Sequence, residues 1–309
     1  MRVAVIVNQG GGTAAAAGPS LETRLGDAFA KAGIEAGIDM VAPDRLAECL
    51  EQAAAREAID ALVAGGGDGT ISLAAAAAVR HRRALGVLPL GTLNHLARDA
   101  GIPFDLDGAV GVIAAGRTQA IDVAEVNGHL FVNNSAVGLY PMMVRSRDAQ
   151  QRLLGRSKRL AMLVGSVRAL RHFGRHRLTI KVEGHKQPIE TPLLFVGNNR
   201  YETSLLTLGQ RGALDRGELC LYALLARTRR QLIGLALRGL VGRLDQQHDF
   251  ISLTGVREAE IAARLPALTV SADGETLRLD TPLRYRILPG ALSLLMPEPA
   301  ATDAPTQAA

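Results

Sequence analysis

The architecture of this 309-residue chain follows from one segment, Ala61-Leu-Val-Ala-Gly-Gly-Gly-Asp-Gly-Thr70. Apolar residues run directly into a glycine-rich turn, which predicts a buried strand, a turn, and a helix that begins at or near Thr70. Glycines let backbone N–H groups approach a ligand closely, and a helix N-terminus adds unpaired N–H groups and a positive dipole end. The segment therefore predicts a phosphate-binding loop over residues 65–70, in preference to a plain tight turn.

Asp68 is the unusual member of this loop, because a carboxylate repels phosphate. Three partners would explain it: a sugar hydroxyl, a hydrogen-bond donor of the protein, or the Mg²⁺ that accompanies a nucleotide. The loop also differs from the lysine-bearing phosphate loop, since no Gly-Lys-Ser/Thr follows. We therefore expect it to act through backbone amides and Asp68.

Composition places the chain among globular proteins, with 48% hydrophobic and 21% charged residues, and its length predicts about two domains. Its two cysteines, Cys49 and Cys220, form no disulfide framework, which favours a cytoplasmic location. No apolar run approaches the roughly 18 residues of a membrane span. Aromatic residues are only 3%, so base stacking is not expected and nucleic acid is not a predicted partner.

The net charge of +5 is concentrated in two basic segments, residues 151–177 and 227–243. The second segment mixes arginines with leucines, a pattern typical of a peripheral anionic membrane surface. A solvated helix face remains an equal alternative. The sequence leaves homodimer formation open.

Residues 1–120 alternate strand and helix signals, which predicts a parallel sheet covered by helices in an N-terminal nucleotide-binding domain. In such sheets ligands bind beyond the carboxyl ends of the strands, where residues 65–70 and 90–94 both fall. Residues 121–290 instead predict a β-rich domain with an antiparallel sandwich. Its expected strands are Ile121–Glu125, His129–Asn133, Leu178–Val182, Pro192–Val196, Glu218–Tyr222, Leu268–Ser271, Thr276–Leu279 and Leu283–Ile287. The expected fold class is thus α/β followed by a β-rich domain.

Hairpin turns are predicted at three dipeptides of the second domain, Asn127-Gly128, Glu183-Gly184 and Asp273-Gly274. The last of them lies in Ser271-Ala-Asp-Gly-Glu-Thr276, which places two carboxylates on either side of a glycine. One carboxylate of such a pair can accept a hydroxyl proton while the other helps to hold a cation. A third glycine-containing motif, Pro89-Leu-Gly-Thr-Leu-Asn-His-Leu-Ala-Arg98, offers Thr92 and Asn94 to a ligand or to a helix cap.

In this order the three motifs resemble the diacylglycerol kinase catalytic domain family, the bacterial soluble lipid kinases, which are related to sphingosine kinases and NAD kinases. Softer matches are Phe131-Val-Asn-Asn-Ser-Ala-Val-Gly138 and Leu214-Asp-Arg-Gly-Glu-Leu219. The resemblance spans nearly the whole chain. It implies the NAD-kinase/diacylglycerol-kinase-like fold, a segment over residues 291–297 that returns to the first domain, and ATP and Mg²⁺ as cofactors. Composition predicts that the tail, residues 298–309, is disordered.

Carried over by residue, the resemblance implies that Asp273 and Glu275 are the catalytic carboxylates, without separating their roles. The implied nucleotide-binding residues are Asn8, Gly65, Gly66, Gly67, Asp68, Gly69, Thr70, Gly91, Thr92 and Asn94. The Asp-Gly pair that supports a structural Mg²⁺ in the family aligns with Arg216-Gly217, which leaves neighbouring Asp215 as the candidate ligand.

The implied function is an ATP- and Mg²⁺-dependent lipid kinase that phosphorylates a hydroxyl of diacylglycerol or a related lipid, at the inner membrane face. Two alternatives remain. One is an NAD kinase-like enzyme, because NAD kinases share the Gly-Gly-Asp-Gly-Thr loop. The other is a nucleotide- or lipid-binding regulator whose kinase site has decayed, which Arg216 would explain.

Overall fold

A computed structural model describes residues 1–10, 20–138, 174–201, 211–226, 228–240 and 249–298. The chain forms two compact units, one of Met1–Ala120 with the C-terminal residues from Leu292 onward, and one of Ile121–Ala291. The predictions for residues 151–173 and for most of the tail, residues 299–309, lie outside the described residues.

The first unit is built on a parallel sheet of β1 (Arg2–Asn8), β2 (Glu35–Val41), β3 (Ala61–Gly66) and β4 (Ala84–Pro89), in the order β2-β1-β3-β4. The last residues of the long strand β16 (Leu283–Leu295) lie parallel to β4, where Leu294 pairs with Leu85. Every residue of β3 is buried, as expected for a strand of a parallel sheet that is covered on both faces.

Five helices are described in this unit: α1 (Ser20–Lys31), α2 (Leu46–Ala54), α3 (Asp68–His81), α4 (His95–Asp99) and α5 (Leu106–Ala115). Helix α3 begins at Asp68, two residues before the predicted start at Thr70. Its N-cap is Gly67, which has an extended backbone, so the turn uses fewer residues than expected. Asp68 and Gly69 therefore belong to the first helical turn.

The second unit is an antiparallel sandwich. Besides β16, its strands are β5 (Thr118–Val126), β6 (His129–Phe131), β7 (Asn134–Gly138), β8 (His176–Val182), β9 (His185–Thr191), β10 (Leu193–Asn198), β11 (Leu219–Leu224), β12 (Phe250–Val256), β13 (Glu258–Ala263), β14 (Ala267–Ala272) and β15 (Glu275–Asp280). The first sheet runs β16-β13-β8-β9, with β5 paired to β16 and to β6, and the second sheet runs β12-β11-β10-β7-β14-β15.

Apolar side chains of both sheets fill one core, which includes Leu178 and Ile261 from the first sheet and Val196 and Val270 from the second. The fold class predicted from the sequence is therefore confirmed: a parallel α/β unit and an antiparallel sandwich. Helix α6 (Arg229–Leu240) follows β11 and lies in the predicted basic segment 227–243. None of the described helices combines the length and apolarity that crossing a bilayer requires.

All three predicted hairpin turns are confirmed. Val126 pairs with His129, Val182 with His185 and Ala272 with Glu275, so each connection has two residues. Both residues of each connection have a positive φ, as a type I′ turn requires. For Asp273 and Gly274 the φ values are 45° and 84°. This geometry sets Asp273 and Glu275 at the tip of the β14–β15 hairpin.

Candidate functional site

The two glycine loops of the first unit lie against each other. Strands β3 and β4 are paired through Gly66 and Pro89, so the turns that follow them leave the same edge of the sheet. A Cβ atom added to Gly91 would lie 2.3 Å from the Cα atom of Gly67. Only glycine at position 91 permits this approach of backbone to backbone. The structure thus joins residues 65–70 and Gly91 into one surface of main-chain atoms.

Asp68 links the two loops through hydrogen bonding. Its Oδ1 atom accepts a hydrogen bond of 2.6 Å from the backbone N–H of His95, the first residue of α4. Of the three partners considered for Asp68, the structure supplies a donor of the protein. The N–H groups at the start of a helix have no acceptor within that helix, and the Asp68 carboxylate supplies one for His95.

Asn94 closes the second loop instead of capping α4 with its side chain. Its Oδ1 accepts from the N–H of Gly91 at 3.0 Å, and its Nδ2 donates to the carbonyl oxygens of Pro89 and Gly91, both at 3.1 Å. Asn94 is buried and has a φ of 50°. Thr92, at the tip of this loop, is exposed.

Asn8 and Thr70 form a hydrogen-bonded pair beneath the first loop. The Nδ2 atom of Asn8 donates to Oγ1 of buried Thr70 at 3.0 Å, and Oδ1 of Asn8 accepts from the N–H of Gly10 at 3.0 Å. Asn8 ends β1 and Thr70 lies in the first turn of α3. The pair therefore fixes the start of α3 relative to the sheet.

The first turn of α3 presents backbone N–H groups that have no acceptor within the helix. The N–H of Ile71 bonds to the carbonyl of Gly67, so the preceding amides, those of Asp68, Gly69 and Thr70, fall before the first intrahelical bond. A Cβ atom added to Gly69 would meet no atom within 4 Å. Open space thus lies beside amides and a helix dipole that favour an anion.

In the second unit, Asp273 is buried and its carboxylate accepts three backbone hydrogen bonds. They come from the N–H groups of Val132 at 2.7 Å, Asn133 at 2.8 Å and Asn134 at 3.0 Å. The N–H of Asp273 in turn donates to the carbonyl of Asn134 at 2.8 Å. These bonds anchor the β14–β15 hairpin to the segment between β6 and β7.

Glu275 is exposed at the same hairpin. Partial loss of water around its carboxyl group and, second, the negative charge of Asp273 raise the pKa of Glu275 above its ordinary value. A carboxylate of raised pKa is a stronger proton acceptor than an ordinary glutamate. Of the two predicted catalytic carboxylates, Glu275 is thus the exposed one with a raised pKa, whereas Asp273 is buried and held by main-chain donors.

Asp215 does not lie in a site that the described residues complete for a metal ion. It is exposed, and the described part of the chain contains no group of three or more His, Cys, Asp or Glu side chains placed to bind one. Protein groups occupy the surrounding contacts, since Gly217 donates its N–H to Oδ2 of Asp122 at 2.6 Å and Arg216 donates its N–H to Oδ1 of Asn199 at 3.1 Å. The metal role of Asp215 therefore stays a prediction.

Sequence reasoning missed a buried polar network in the second unit, formed by Asp122, Asn198, Asn199, Tyr201 and Arg211. Oδ1 of Asp122 accepts from the N–H of Gly290 at 2.9 Å, and Nδ2 of Asn198 donates to the carbonyls of Asp122 and Val132, both at 2.9 Å. The available signal was the pair Asn198-Asn199, which directly follows an apolar strand. Polar residues at such a position need partners if they are buried.

The profile of the diacylglycerol kinase catalytic domain matches residues 2–126, and that of the YegS C-terminal NAD kinase beta sandwich-like domain matches residues 140–296. The chain is 29% identical to the probable lipid kinase YegS of Salmonella gallinarum over 249 residues, which are 79% of this chain and 80% of the relative. A 43% identity to the probable lipid kinase YegS-like protein of Yersinia enterocolitica covers 28% of this chain and 30% of that protein.

Among solved structures, a diacylglycerol kinase from Bacillus anthracis str. Sterne shares the fold with a TM-score of 0.68 and 19% identity, over 97% of each chain. Yeast NADH kinase complexed with NADH shares it with a TM-score of 0.54 and 14% identity, over 95% of this chain and 82% of that one. The molecule therefore has the architecture that diacylglycerol kinases and NADH kinase have in common. By its two domain profiles, the chain belongs to the YegS-like members of the diacylglycerol kinase catalytic family.

Proposed function

We propose that this protein is a lipid kinase, which transfers the γ-phosphate of ATP to a hydroxyl of diacylglycerol or a related lipid. The observation that carries the proposal is the combination of two glycine loops in the first unit with the Asp273–Glu275 hairpin in the second. Membership of the diacylglycerol kinase catalytic family and the name of the Salmonella gallinarum relative support it.

In this proposal the first unit binds ATP through main-chain groups. The amides of Asp68, Gly69 and Thr70 face the phosphates, and the contact between Gly67 and Gly91 keeps side chains away from them. Asn8, Asn94 and the carboxylate of Asp68 hold these amides in place, because each is hydrogen-bonded within or between the loops. Preformed donors of this kind stabilise the charge of the transferring phosphoryl group without reorganisation.

The second unit supplies the proton acceptor. Glu275 would take the proton of the lipid hydroxyl as the hydroxyl oxygen attacks the γ-phosphorus of ATP. The bond between the γ-phosphorus and ADP breaks, ADP leaves, and the proton remains on the Glu275 carboxyl. Asp273 would keep the hairpin in place through its three main-chain hydrogen bonds and keep the pKa of Glu275 raised through its charge. Alignment and charge neutralisation provide most of the catalysis in phosphoryl transfer.

Mg²⁺ bound with ATP would neutralise phosphate charge. The residue of this chain that fits it is Asp68. Its Oδ1 is used by His95, and no hydrogen bond to its Oδ2 is found among the residues that the structure describes. A carboxylate oxygen beside a phosphate-binding loop is the ligand type that Mg²⁺ prefers.

A lipid substrate requires access to a bilayer, and we propose that α6 contributes to it. Arg229 and Arg230 are exposed at the start of α6, and the side chain of Ile233 is 44% exposed, whereas Leu235 packs inward with Leu224 and Ala226. Basic and apolar side chains on the solvent side of one helix suit the surface of an anionic membrane. The proposed location is accordingly the cytoplasm, with peripheral binding at the inner membrane face.

The experiment that tests the function compares acceptors. Purified protein is incubated with ATP, Mg²⁺ and either a total lipid extract or NAD, and products are identified by mass spectrometry. The proposal predicts a phosphorylated lipid and no NADP. Formation of NADP without lipid phosphate would favour the NAD kinase-like alternative, and nucleotide binding without any transfer would favour the decayed regulator.

A further inference from the structure

Arg211 is a buried arginine of the second unit whose guanidinium group contacts three oxygen atoms. Its Nη1 donates to the carbonyls of Val132 at 2.6 Å and Asn198 at 3.2 Å, and its Nη2 donates to Oδ1 of Asn133 at 3.1 Å. The residue is only 5% exposed, and its Cζ atom lies 5.8 Å from the ring centroid of Tyr201. Burying a charged group costs free energy unless hydrogen bonds compensate for the lost water, and these three contacts provide that compensation for Arg211.

Arg211 and Asp273 bind the two ends of the same peptide group. The carbonyl of Val132 accepts from Arg211, and the N–H that belongs to this peptide unit is that of Asn133, which donates to Oδ1 of Asp273 at 2.8 Å. A cation on the carbonyl polarises the peptide and strengthens its N–H as a donor, which is how neighbouring hydrogen bonds reinforce one another. The positive guanidinium and the negative carboxylate are thus coupled through one amide.

The next peptide group is held in the same way. The hydroxyl of Tyr201 donates to the carbonyl of Asn133 at 2.8 Å, and the N–H of Asn134 donates to Asp273 at 3.0 Å. Tyr201 and Arg211 are themselves paired in an isolated antiparallel bridge. Tyr201 and Arg211, which are far from the hairpin in sequence, therefore fix the segment of residues 132–134 to which the hairpin is hydrogen-bonded.

We propose that Arg211 is the positioning residue of the phosphate acceptor site: it holds residues 132–134 so that the Asp273–Glu275 hairpin keeps Glu275 where the lipid hydroxyl is deprotonated. This inference rests on the proposed function, in which Glu275 accepts the proton. The planar fork of the guanidinium group is essential, because it reaches two carbonyls and the Asn133 amide oxygen together. Lysine carries the charge but offers no such fork.

The test compares Arg211→Ala, Arg211→Lys and, as a control, Arg284→Ala, whose side chain is 75% exposed in the same unit. We expect Arg211→Ala to lower kcat about 100-fold while KM for ATP stays within about twofold, because a displacement of about 1 Å at the reacting group has that effect. Millimolar guanidinium chloride should raise the kcat of Arg211→Ala about tenfold, because the free cation can occupy the vacated position, whereas sodium chloride should not raise it. Arg284→Ala should behave as the wild type does.

Two results would overturn the proposal. One is an unchanged kcat in Arg211→Ala protein that is folded. The other is a loss of kcat that is no larger than the loss of folded protein, which thermal unfolding measures. If Arg211→Ala does not fold, Arg211→Lys carries the test, with a kcat lowered about tenfold at unchanged KM for ATP. An unchanged kcat in that variant contradicts the inference.

Hydrogen exchange separates this inference from the proposed function. The amides of Val132, Asn133 and Asn134 should exchange faster in Arg211→Lys than in the wild type, and they should be unchanged in Arg284→Ala. If the wild-type protein phosphorylates no lipid, the proposed function fails whatever these amides do. If the wild-type protein is active but the amides exchange equally in all variants, Arg211 does not hold the hairpin.

Discussion

The carboxylate of Asp68 and the backbone N–H of His95 are joined by a hydrogen bond of 2.6 Å, which connects the Gly-Gly-Asp-Gly-Thr loop to the start of the next helix. The two glycine motifs are therefore one structural element. The bond also explains how a carboxylate is tolerated beside phosphate, since part of its charge is neutralised by a backbone dipole. The same loop can thus bind an anion and present a carboxylate oxygen.

Removing this bond should weaken both the fold and nucleotide binding. Asp68→Ala is expected to lower the free energy of unfolding by about 1.5–3 kcal/mol, the value of a hydrogen bond to a charged group. It should also raise Kd for ATP about tenfold or more. Urea unfolding and calorimetric titration measure the two effects. Asp44→Ala, at an exposed position in a turn of the same unit, is the control and should change neither.

The glycines of the first unit should separate folding from binding. Gly91→Ala forces a Cβ to 2.3 Å from the Cα of Gly67, so we expect about 1–3 kcal/mol of destabilisation. Gly69→Ala meets no atom within 4 Å, so stability should be unchanged or raised by up to about 1 kcal/mol. Its methyl group would nevertheless occupy the space beside the amides of the first turn of α3 and weaken ATP binding. A Gly69→Ala protein that binds ATP as tightly as wild type would show that the phosphates lie elsewhere.

Glu275→Gln should abolish transfer without harming the fold. Because folding raises the pKa of Glu275, the folded state holds this proton more tightly than the unfolded chain, so the associated stability exists at low pH and is lost as pH rises through the folded pKa. At neutral pH the substitution should therefore leave thermal stability equal or higher. A loss of activity accompanied by a lower Tm would instead indicate a structural role.

The same pKa predicts the pH dependence of the reaction. Glu275 must be ionised to accept a proton, so kcat/KM for the lipid should rise with pH along an acid limb whose midpoint lies above the ordinary pKa of glutamate. Removing the charge of Asp273 lowers the pKa of Glu275, so in Asp273→Asn the remaining activity should have its acid limb at lower pH. A limb that does not move would exclude Glu275 as the titrating group.

Divalent cations should not stabilise the protein in the absence of nucleotide. The described residues around Asp215 do not form a metal site, so millimolar Mg²⁺ or EDTA should shift Tm by less than about 1 °C. Thermal unfolding followed by circular dichroism provides the measurement. An increase of several degrees that disappears in Asp215→Asn would instead identify this residue as a metal ligand.

Membrane binding should depend on α6. Replacing both Arg229 and Arg230 with Gln should weaken binding to anionic vesicles about 30-fold, since each basic residue near the surface contributes about 1 kcal/mol. Vesicle sedimentation at two salt concentrations measures this. The matched control, Arg278→Gln with Arg284→Gln, removes two exposed charges of the same unit from strands and should have little effect. Equal loss in both double variants would assign the binding to net charge alone.

Local signals explain what could be predicted from the sequence. The glycine loops follow buried strands, and Asp273-Gly274 has the residue types of a type I′ turn, so both elements were recognisable from a few neighbouring residues. Strand β9 was missed because its residues are mostly exposed and polar, and because Pro188 is a residue type that argues against a strand. The pair Asn198-Asn199 signals buried polar groups, but the contacts of Arg211 could not be predicted, since they join residues whose proximity depends on the completed sandwich.

A labelled phosphate shows whether this protein phosphorylates lipid through Glu275. Wild-type protein and Glu275→Gln are each given ATP labelled with ¹⁸O in the γ-phosphate, Mg²⁺ and vesicles of total lipid extract, and the lipids are analysed by mass spectrometry. We expect a labelled phosphate ester on a lipid hydroxyl with wild-type protein and none with Glu275→Gln. Equal label in lipid with both proteins, or label only in inorganic phosphate with wild-type protein, would contradict it.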